Sequence, residues 1–289
     1  MTIPHKKLKS GFSLPVFGFG TWRFGGDFRR DLNNNDAEQI DALKTAINYG
    51  ITHIDTAERY AAGFAEQLVS KAIFGFDRKK LFIVSKVWPT NFRYDDVLRS
   101  AHNSLKRLKV SYLDLYLLHK PDLSIPIRQT MKAMDKLKED GLIKNIGVSN
   151  FSVNSFKSAQ SLTRNKIVVN QVHYNLIFRE PEKSGLLDYC RKNDVLLIAW
   201  RPVEKGILSV KGIKIIDEVC RKYNKTAAQI AINWLISQKN VVTLAKMVSQ
   251  KHLHENLGAL NWQMDNSDIE KLRRSFPGQK SVSAAVPLG

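Results

Sequence analysis

The amino-acid sequence predicts an α/β fold, a (β/α)8 TIM barrel with an N-terminal β-hairpin and a C-terminal tail. Short apolar segments recur eight times at intervals of roughly 25 to 46 residues, and stretches with helical periodicity lie between them. The length of 289 residues suits one barrel, and no low-complexity linker interrupts the chain. We therefore expect a single domain over residues 1–289.

The apolar segments are too short for helices and are rich in β-branched and aromatic residues, which is typical of buried strands. The predicted strands lie within residues 17–22, 53–57, 81–87, 113–119, 143–150, 168–175, 195–202 and 241–246. Between them, apolar residues spaced by three and four predict amphipathic helices, as from Val97 to Leu108 and from Ile127 to Leu137. A glutamine three residues after Thr226 gives the pattern of a helix capping box.

The two ends of the chain do not join this alternation. Residues 1–16 carry Ser10 and Gly11 at the centre of two short segments, which predicts a hairpin that closes one end of the barrel. Residues 275–289 contain two prolines and no periodicity, so we expect this tail to lie across the surface.

Composition and charge limit the possible partners. An apolar content of 43% excludes a disordered chain, and 45 Lys and Arg against 27 Asp and Glu give a net charge of +18. Such a charge favours anionic partners, but the basic residues are scattered and form no aromatic-interleaved patch, so no specific nucleic acid is expected. Two cysteines, no visible signal peptide and no apolar run of membrane-spanning length favour a cytoplasmic monomer.

In a barrel of this kind the active site lies at the carboxyl ends of the strands. Residues with chemical potential at or just beyond these ends are Trp22, Asp55, Tyr60, Lys86, Trp88, His119, Ser149, Asn150, Gln171, Trp200 and Lys246. Taken singly, Asp55 could cap a turn and His119 could be a core histidine, and each tryptophan could be packing. Their occurrence together on successive strands favours a functional site.

The predicted chemistry starts from the cost of burying charge, which requires Asp55 and Lys86 to pair. A cationic Lys86 would lower the pKa of Tyr60. Tyr60 could then give a proton to a developing alkoxide, while His119 orients a carbonyl oxygen by a hydrogen bond. This set handles protons at a carbonyl but contains no hydride source, so a cofactor is required.

Two other cofactor schemes are disfavoured. His252 and His254 are two residues apart and point to different faces of a helix, and no Cys or carboxylate stands at ligand spacing, so no metal is expected. Gly18 and Gly20 begin a dinucleotide fingerprint, but Arg23 occupies its third glycine position. A nicotinamide would have to be bound in another way.

The sequence resembles the aldo-keto reductase superfamily, in order over nearly the whole chain. The matching segments are GTW (20–22), HIDTAERY (53–60), LFIVSKVWP (81–89), YLDLYLLHKPD (112–122), GVSNF (147–151), VNQVHYN (169–175), AWRP (199–202), VVTLAK (241–246) and ENL (255–257). The resemblance implies that Tyr60 is the proton donor, Lys86 its cationic neighbour, Asp55 the partner of that lysine and His119 the orienting histidine.

The resemblance also implies binding residues and a preference for NADPH over NADH. The implied cofactor-binding residues are Thr21, Ser149, Asn150, Gln171, Trp200, Arg201, Lys246, His252, Glu255 and Asn256. Among them, the resemblance implies that Ser149, Asn150 and Gln171 hold the nicotinamide carboxamide and that the nicotinamide stacks on Trp200. The implied substrate-binding residues are Trp22, Trp88 and Lys120. The sequence departs from the family pattern at Ala61, where Gly is common, at Lys120 and Trp200, where Trp and Tyr are common, at residues 244–247, which lack the usual proline, and at His252, where Arg is common.

The function that follows is NADPH-dependent reduction of aldehydes or ketones, with a small carbonyl compound as partner. Two alternatives remain open: the same site could oxidise alcohols, or the barrel could be a cofactor-sensing partner of an acidic surface with weak turnover. Lys120, Arg201 and Lys205 lead to a further hypothesis, that cations at the pocket mouth favour substrates bearing a carboxylate or phosphate.

Overall fold

The structure, a computed structural model, describes residues 2–122 and 124–289. Eight parallel strands form a closed barrel in which neighbours follow chain order and the last strand pairs with the first. These strands are β3 (Phe17–Gly20), β4 (His53–Asp55), β5 (Phe82–Val87), β6 (Leu115–Leu118), β7 (Ile146–Ser149), β8 (Ile167–His173), β9 (Leu196–Trp200) and β10 (Val241–Ala245). The fold prediction is confirmed: seven of the predicted segments contain one strand each, and β8 begins one residue before its predicted segment, residues 168–175.

Helices follow the barrel strands and cover them. They are α1 (Asp36–Asn48), α2 (Phe64–Ile73), α3 (Tyr94–Leu108), α4 (Ile127–Glu139), α5 (Val153–Gln160), α6 (Glu180–Lys183), α7 (Leu186–Lys192), α8 (Lys214–Tyr223), α9 (Ala227–Ile236), α10 (Gln250–Leu257) and α11 (Asn266–Ser275). The predicted apolar stripes of α3 and α4 are buried, and Thr226 forms the predicted capping box of α9 with Gln229.

The amino-terminal end of the barrel is closed by the hairpin of β1 (His5–Lys7) and β2 (Ser13–Pro15), which pair antiparallel. Leu8, Phe12 and Leu14 pack into an apolar cluster with side chains from the barrel strands. The plug predicted from residues 1–16 is therefore confirmed, and it leaves the opposite end of the barrel for the site.

The C-terminal tail begins after α11 and crosses the carboxyl ends of the strands. Lys280 donates its backbone N–H to Ile177 O at 2.7 Å, and Ser152 donates to Gly289 O at 2.7 Å. Ser283 is buried against His173, at the end of β8. The sequence predicted a surface tail but gave no indication that it lies beside the candidate site.

In the part of the chain that the structure describes, no helix has the length and apolar character needed to cross a bilayer.

Candidate active site

The centre of the site is the ammonium group of Lys86, which is buried at the end of β5. Its Nζ donates to Asp55 Oδ1 at 2.5 Å, to Thr56 O at 2.9 Å and to Tyr60 Oη at 3.3 Å. These three acceptors match the three N–H groups of a protonated lysine. Burial alone would lower the pKa of Lys86, but the Asp55 carboxylate outweighs it and the pKa is raised. Lys86 is therefore cationic, as predicted.

Asp55 has a second partner that ties the strands together. Its Oδ2 accepts a hydrogen bond from Gln171 Nε2 at 2.7 Å, across the barrel from β8 to β4. With Lys86 on Oδ1, both carboxylate oxygens are paired in the barrel interior. A buried carboxylate with both oxygens paired in this way fixes the position of the lysine.

The pKa of Tyr60 is shifted in the direction opposite to the one the sequence predicted. Burial is the largest influence and raises the pKa of Tyr60, and the cationic Lys86 opposes it without reversing it. The expected net lowering of this pKa was therefore wrong, because the loss of hydration exceeds the attraction of one cation. Since Lys86 donates to the phenol oxygen, the phenol's own hydrogen is free to be donated elsewhere.

His119 lies at the end of β6, with its ring centroid 5.6 Å from that of Tyr60. Burial, followed by the charges of Lys86, Lys120 and Arg59, lowers the pKa of His119 well below its ordinary value, so the ring is neutral. Its Nδ1 is buried and has no hydrogen-bond partner among the described residues. A buried unpaired N–H is costly, which assigns the proton to Nε2. The predicted orienting histidine is thus a neutral donor.

Five neighbouring side-chain rings, one of them that of Tyr60, form a closed circuit at the site. Trp22 lies 5.0 Å from Tyr60 and 5.0 Å from Phe28, measured between centroids. Phe28 lies 6.2 Å from Trp88, and Trp88 lies 5.0 Å from His119. The structure therefore brings the predicted residues Trp22 and Trp88 to the site and adds Phe28. Sequence reasoning missed Phe28 because it lies in a loop, residues 21–35, without periodicity.

The loop that carries Phe28 is attached next to Tyr60. Asp27 accepts a hydrogen bond from the backbone N–H of Ala61 at 2.7 Å. Ala61 and Ala62 both adopt left-handed backbone conformations, with φ of 47° and 54°. Residues other than glycine have a steric cost in this conformation. The turn is therefore strained at Ala61, a position where the family pattern commonly has glycine.

Two cations lie against Trp88, one of the rings of this aromatic circuit. Lys120 Nζ lies 5.2 Å from the centre of the Trp88 ring, and Arg59 Cζ lies 5.4 Å from the same centre. Arg201, by contrast, lies 5.1 Å from the Trp200 ring and 3.8 Å from a carboxylate oxygen of Glu204. Lys205 falls in the 3-10 helix Glu204–Ser209 after β9. Arg59 was not among the predicted residues, although it directly precedes Tyr60.

The predicted carboxamide-binding residues meet at the ends of β7, β8 and β9. Ser149 donates to Gln171 O at 2.8 Å, and Asn150 Nδ2 donates to Ser149 Oγ at 2.9 Å and to His119 O at 3.1 Å. Trp200 Nε1 donates to Asn150 Oδ1 at 3.3 Å. Gln171 Oε1 accepts no hydrogen bond within the described residues. One polar acceptor is thus left without a partner among the described residues at this end of β8.

Trp200 has a support that sequence reasoning missed. Its ring is stacked on His173, which is itself stacked on Phe178. The His173 ring is held at both nitrogens, by Glu204 at 2.6 Å and by Ser283 of the tail at 2.8 Å. The signal in the sequence was only that His173 lies two residues after Gln171, on the same side of β8.

The remaining predicted cofactor residues lie around β10 and α10. Lys246 is exposed just after β10, and burial of part of its side chain, followed by the charge of Arg23, lowers its pKa. His252 is exposed on α10, whose N-cap Ser249 accepts from the His252 N–H. On the same helix Glu255 is half-buried and Asn256 is buried. Predicted contact Thr21 is buried and donates its hydroxyl to Asp55 O at 3.0 Å.

Fold and site together define an oxidoreductase barrel. The model of the Aldo/keto reductase family matches residues 16–275, so the chain belongs to the aldo/keto reductase family, and the resemblance is confirmed. The chain is 33% identical over 276 residues to the methylglyoxal reductase of Escherichia coli (strain K12), with 94% of each chain covered.

Two solved structures are similar over almost their whole length. One is a thermostable aldo-keto reductase in complex with the inhibitor epalrestat, with a TM-score of 0.90 and 43% identity over 94% of this chain and 99% of that one. The other is an aldo-keto reductase from Klebsiella pneumoniae in complex with NADPH, with a TM-score of 0.84 and 31% identity over 98% of each chain.

Proposed function

We propose that the protein reduces aldehydes or ketones to alcohols with NADPH, and that Tyr60 donates the proton. The observation that carries the proposal is the arrangement of Lys86, Tyr60 and His119. Lys86 donates to the phenol oxygen at 3.3 Å, so the phenol hydrogen is left for a substrate, and the neutral His119 offers a second donor from the next strand. Two donors whose ring centroids lie 5.6 Å apart suit a carbonyl oxygen that gains negative charge.

The residues of the site fit a nicotinamide cofactor. The unpaired Gln171 Oε1 suits the amide N–H of a carboxamide, and Trp200 offers an aromatic surface backed by His173. Lys246, exposed beyond β10, suits a phosphate. When bound, the cofactor supplies the hydride that this chain lacks.

The chain's own residues then control the proton. As the carbonyl oxygen gains charge, Tyr60 gives it the phenol proton, and the tyrosinate that remains is held by the ammonium of Lys86. Asp55 keeps that ammonium charged and in position through its 2.5 Å contact. The raised pKa of Tyr60 suits this role, because an alkoxide is a far stronger base than a phenolate. By microscopic reversibility, the tyrosinate form serves as the base for alcohol oxidation.

The test is reduction of an aromatic aldehyde by NADPH with the Tyr60→Phe variant, which loses only the hydroxyl. General acid catalysis contributes about 10²- to 10⁴-fold, so kcat should fall by at least 100-fold while NADPH affinity stays within about twofold. Tyr112→Phe, which removes a hydroxyl just before β6 at the opposite end of the barrel, is the control. If Tyr60→Phe keeps more than about a tenth of wild-type turnover, with chemistry limiting the rate, Tyr60 is not the acid. Absence of turnover in the wild type would favour a cofactor-sensing role.

A further inference from the structure

Arg59 stands out because its guanidinium has no carboxylate partner in the part of the chain that the structure describes. Its guanidinium lies 5.0 Å from the Phe28 ring centre and 5.4 Å from that of Trp88. Its Nε is buried and makes no hydrogen bond with any described residue. The adjacent carboxylate of Glu58 instead accepts from the Trp88 N–H at 2.7 Å and from Asn91 at 2.9 Å. Among residues 2–122 and 124–289, Arg59 forms no ion pair.

Lys120 places a second charge against the same ring. It is half-buried, its Nζ lies 5.2 Å from the Trp88 ring centre, and it too forms no ion pair with any residue the structure describes. Cation–π contacts hold both groups in place but leave their N–H donors available for an anion. The two cations therefore stand beside Trp88 without an ion-pair partner among the described residues, although the charge of Lys120 also acts on the nearby Asp122 carboxylate and contributes to its lowered pKa.

The charges of Arg59 and Lys120 act on His119, the predicted orienting histidine. Trp88 lies edge to face with His119, with ring centroids 5.0 Å apart, so both cations are one ring away from the predicted orienting histidine. The charges of Lys120 and Arg59 both contribute to the lowered pKa of His119. Aromatic walls exclude water and so reduce the screening of such charges.

We infer that Arg59 and Lys120 form an anion subsite beside Trp88. This subsite selects carbonyl substrates in which one aromatic ring separates the carbonyl group from a carboxylate or phosphate group. This inference rests on the proposed carbonyl reduction and names its substrate class. Arg59 is the stronger element, because a guanidinium donates two parallel hydrogen bonds to a carboxylate or phosphate. Lys120 adds a point charge. Arg201, which has Glu204 as a partner, is not part of the subsite.

The experiment compares three aldehydes in wild type and variants. 4-Carboxybenzaldehyde and 4-formylphenyl phosphate carry the anion, and methyl 4-formylbenzoate is the neutral counterpart. Comparing variant with wild type for each compound cancels its intrinsic reactivity. Arg59→Met keeps the length of the side chain and removes the charge, and Arg274→Met makes the same change of net charge at a residue whose side chain is 82% exposed on α11.

A hydrogen-bonded charge at a half-exposed site is worth about 10-fold in affinity. Arg59→Met should therefore lower kcat/KM for an anionic aldehyde about 10-fold, mainly through KM, and leave the methyl ester within about twofold. Arg59→Lys should restore part of the loss, and Arg274→Met should change neither. The anion that suffers the larger drop, carboxylate or phosphate, is the one the subsite prefers. Equal losses for the ester and the anions, or no loss at all, would overturn the subsite.

Binding without turnover separates this inference from the proposed reaction. Benzoate should quench the tryptophan fluorescence of the wild type, through Trp88, and bind about 10-fold more weakly to Arg59→Met. Benzoate affinity that is unchanged by Arg59→Met and unaffected by salt contradicts the subsite even if aldehydes are reduced. Charge-dependent benzoate binding without reduction of any aldehyde keeps the subsite and rejects the reaction.

Discussion

The indole ring of Trp200 lies parallel to the imidazole ring of His173, with centroids 4.2 Å apart and planes 6° apart. Burial lowers the pKa of His173 in spite of the neighbouring Glu204, so the ring is neutral. A neutral ring can donate to Glu204 from one nitrogen and accept from the Ser283 hydroxyl at the other. The predicted nicotinamide-stacking residue is thus supported by a strand, a loop and the C-terminal tail at once.

Removing the stacking of His173 on Trp200 should weaken NADPH binding more than it lowers kcat. Aromatic stacking is worth about 0.5–1.5 kcal/mol, so His173→Ala should raise the Kd for NADPH about 2- to 10-fold as Trp200 gains rotamer freedom. Titration of tryptophan fluorescence with NADPH measures this, and His102→Ala on the exposed face of α3 is the control. An unchanged Kd would show that Trp200 does not need its support.

The raised pKa of Tyr60 predicts the pH dependence of reduction. Reduction needs the protonated phenol, and a pKa above the ordinary value of 10.0 keeps Tyr60 protonated throughout the neutral range. The lowered pKa of His119 keeps that ring neutral as well. kcat/KM for reduction should therefore be flat between about pH 6 and 9, and alcohol oxidation, which needs the tyrosinate, should rise with pH over the same range. A decline of reduction as the pH rises from about 7 to 9 would instead support the lowered pKa of Tyr60 that the sequence suggested.

The Lys86→Met variant tests whether the charge of Lys86 lowers the pKa of Tyr60. Loss of the cation removes the influence that lowers the Tyr60 pKa, so that pKa should rise further and the tyrosinate formed after proton transfer should lose its support. kcat for reduction should fall about 100-fold or more, and the pH at which oxidation begins to rise should move upward. pH–rate profiles of both directions measure the shift. If the pH profile of alcohol oxidation is not shifted in Lys86→Met, Lys86 does not lower the pKa of Tyr60.

The sequence predicted the barrel and the centre of the site because both follow from local patterns. Buried strands have a recognisable composition, and Asp55, Lys86 and His119 end three of them, so their meeting follows from parallel strand order. Phe28 and Arg59 could not be placed in the same way, because the direction of a loop side chain follows from contacts that no periodicity encodes. The sign of the Tyr60 shift was missed for a similar reason, since burial and a nearby cation oppose each other and only distances decide between them.

Cofactor preference should depend on Lys246. NADPH carries a 2′-phosphate that NADH lacks, and a charged hydrogen bond to it is worth about 1.5–3 kcal/mol. Lys246→Ala should lower NADPH affinity about 10-fold and leave NADH affinity within about twofold, whereas His252→Arg, which adds a fixed charge, should widen the preference. Lys106→Ala on exposed α3 is the control. Affinities for the two cofactors that are equal in the wild type would reject the NADPH preference, and a preference that survives Lys246→Ala would assign the phosphate to another cation, such as Arg23.

Asp194 contacts the N-terminal hairpin, at the end of the barrel opposite the site, and its carboxylate should make the stability of the fold depend on pH. Its carboxylate accepts from the backbone N–H groups of Lys9 at 2.8 Å and Ser10 at 3.1 Å, in the hairpin turn, and from Lys166 at 2.7 Å. Burial would raise the pKa of Asp194, but these hydrogen bonds outweigh it and lower the pKa from 3.8 to about 2. The folded state therefore binds a proton here less readily than the unfolded state, so the stabilisation is complete above about pH 4 and is lost as the pH falls towards 2.

The size of this effect follows from the shift and the exposure of the group. A shift of this size corresponds to at most about 2 kcal/mol, and since the Asp194 side chain is 20% exposed, solvent screening reduces it to about 1 kcal/mol. Asp194→Asn should lower the free energy of unfolding by about 1 kcal/mol at pH 7. The difference from the wild type should shrink at pH 3, because the unfolded chain, in which Asp194 has its ordinary pKa of 3.8, then binds a proton more readily than the folded state does. Urea unfolding followed by circular dichroism at both pH values measures it, with Asp41→Asn on the exposed face of α1 as the control. A difference that is the same at pH 3 and pH 7 would mean that Asp194 holds the hairpin through shape and neutral hydrogen bonds, since a contribution from its charge must disappear with the charge.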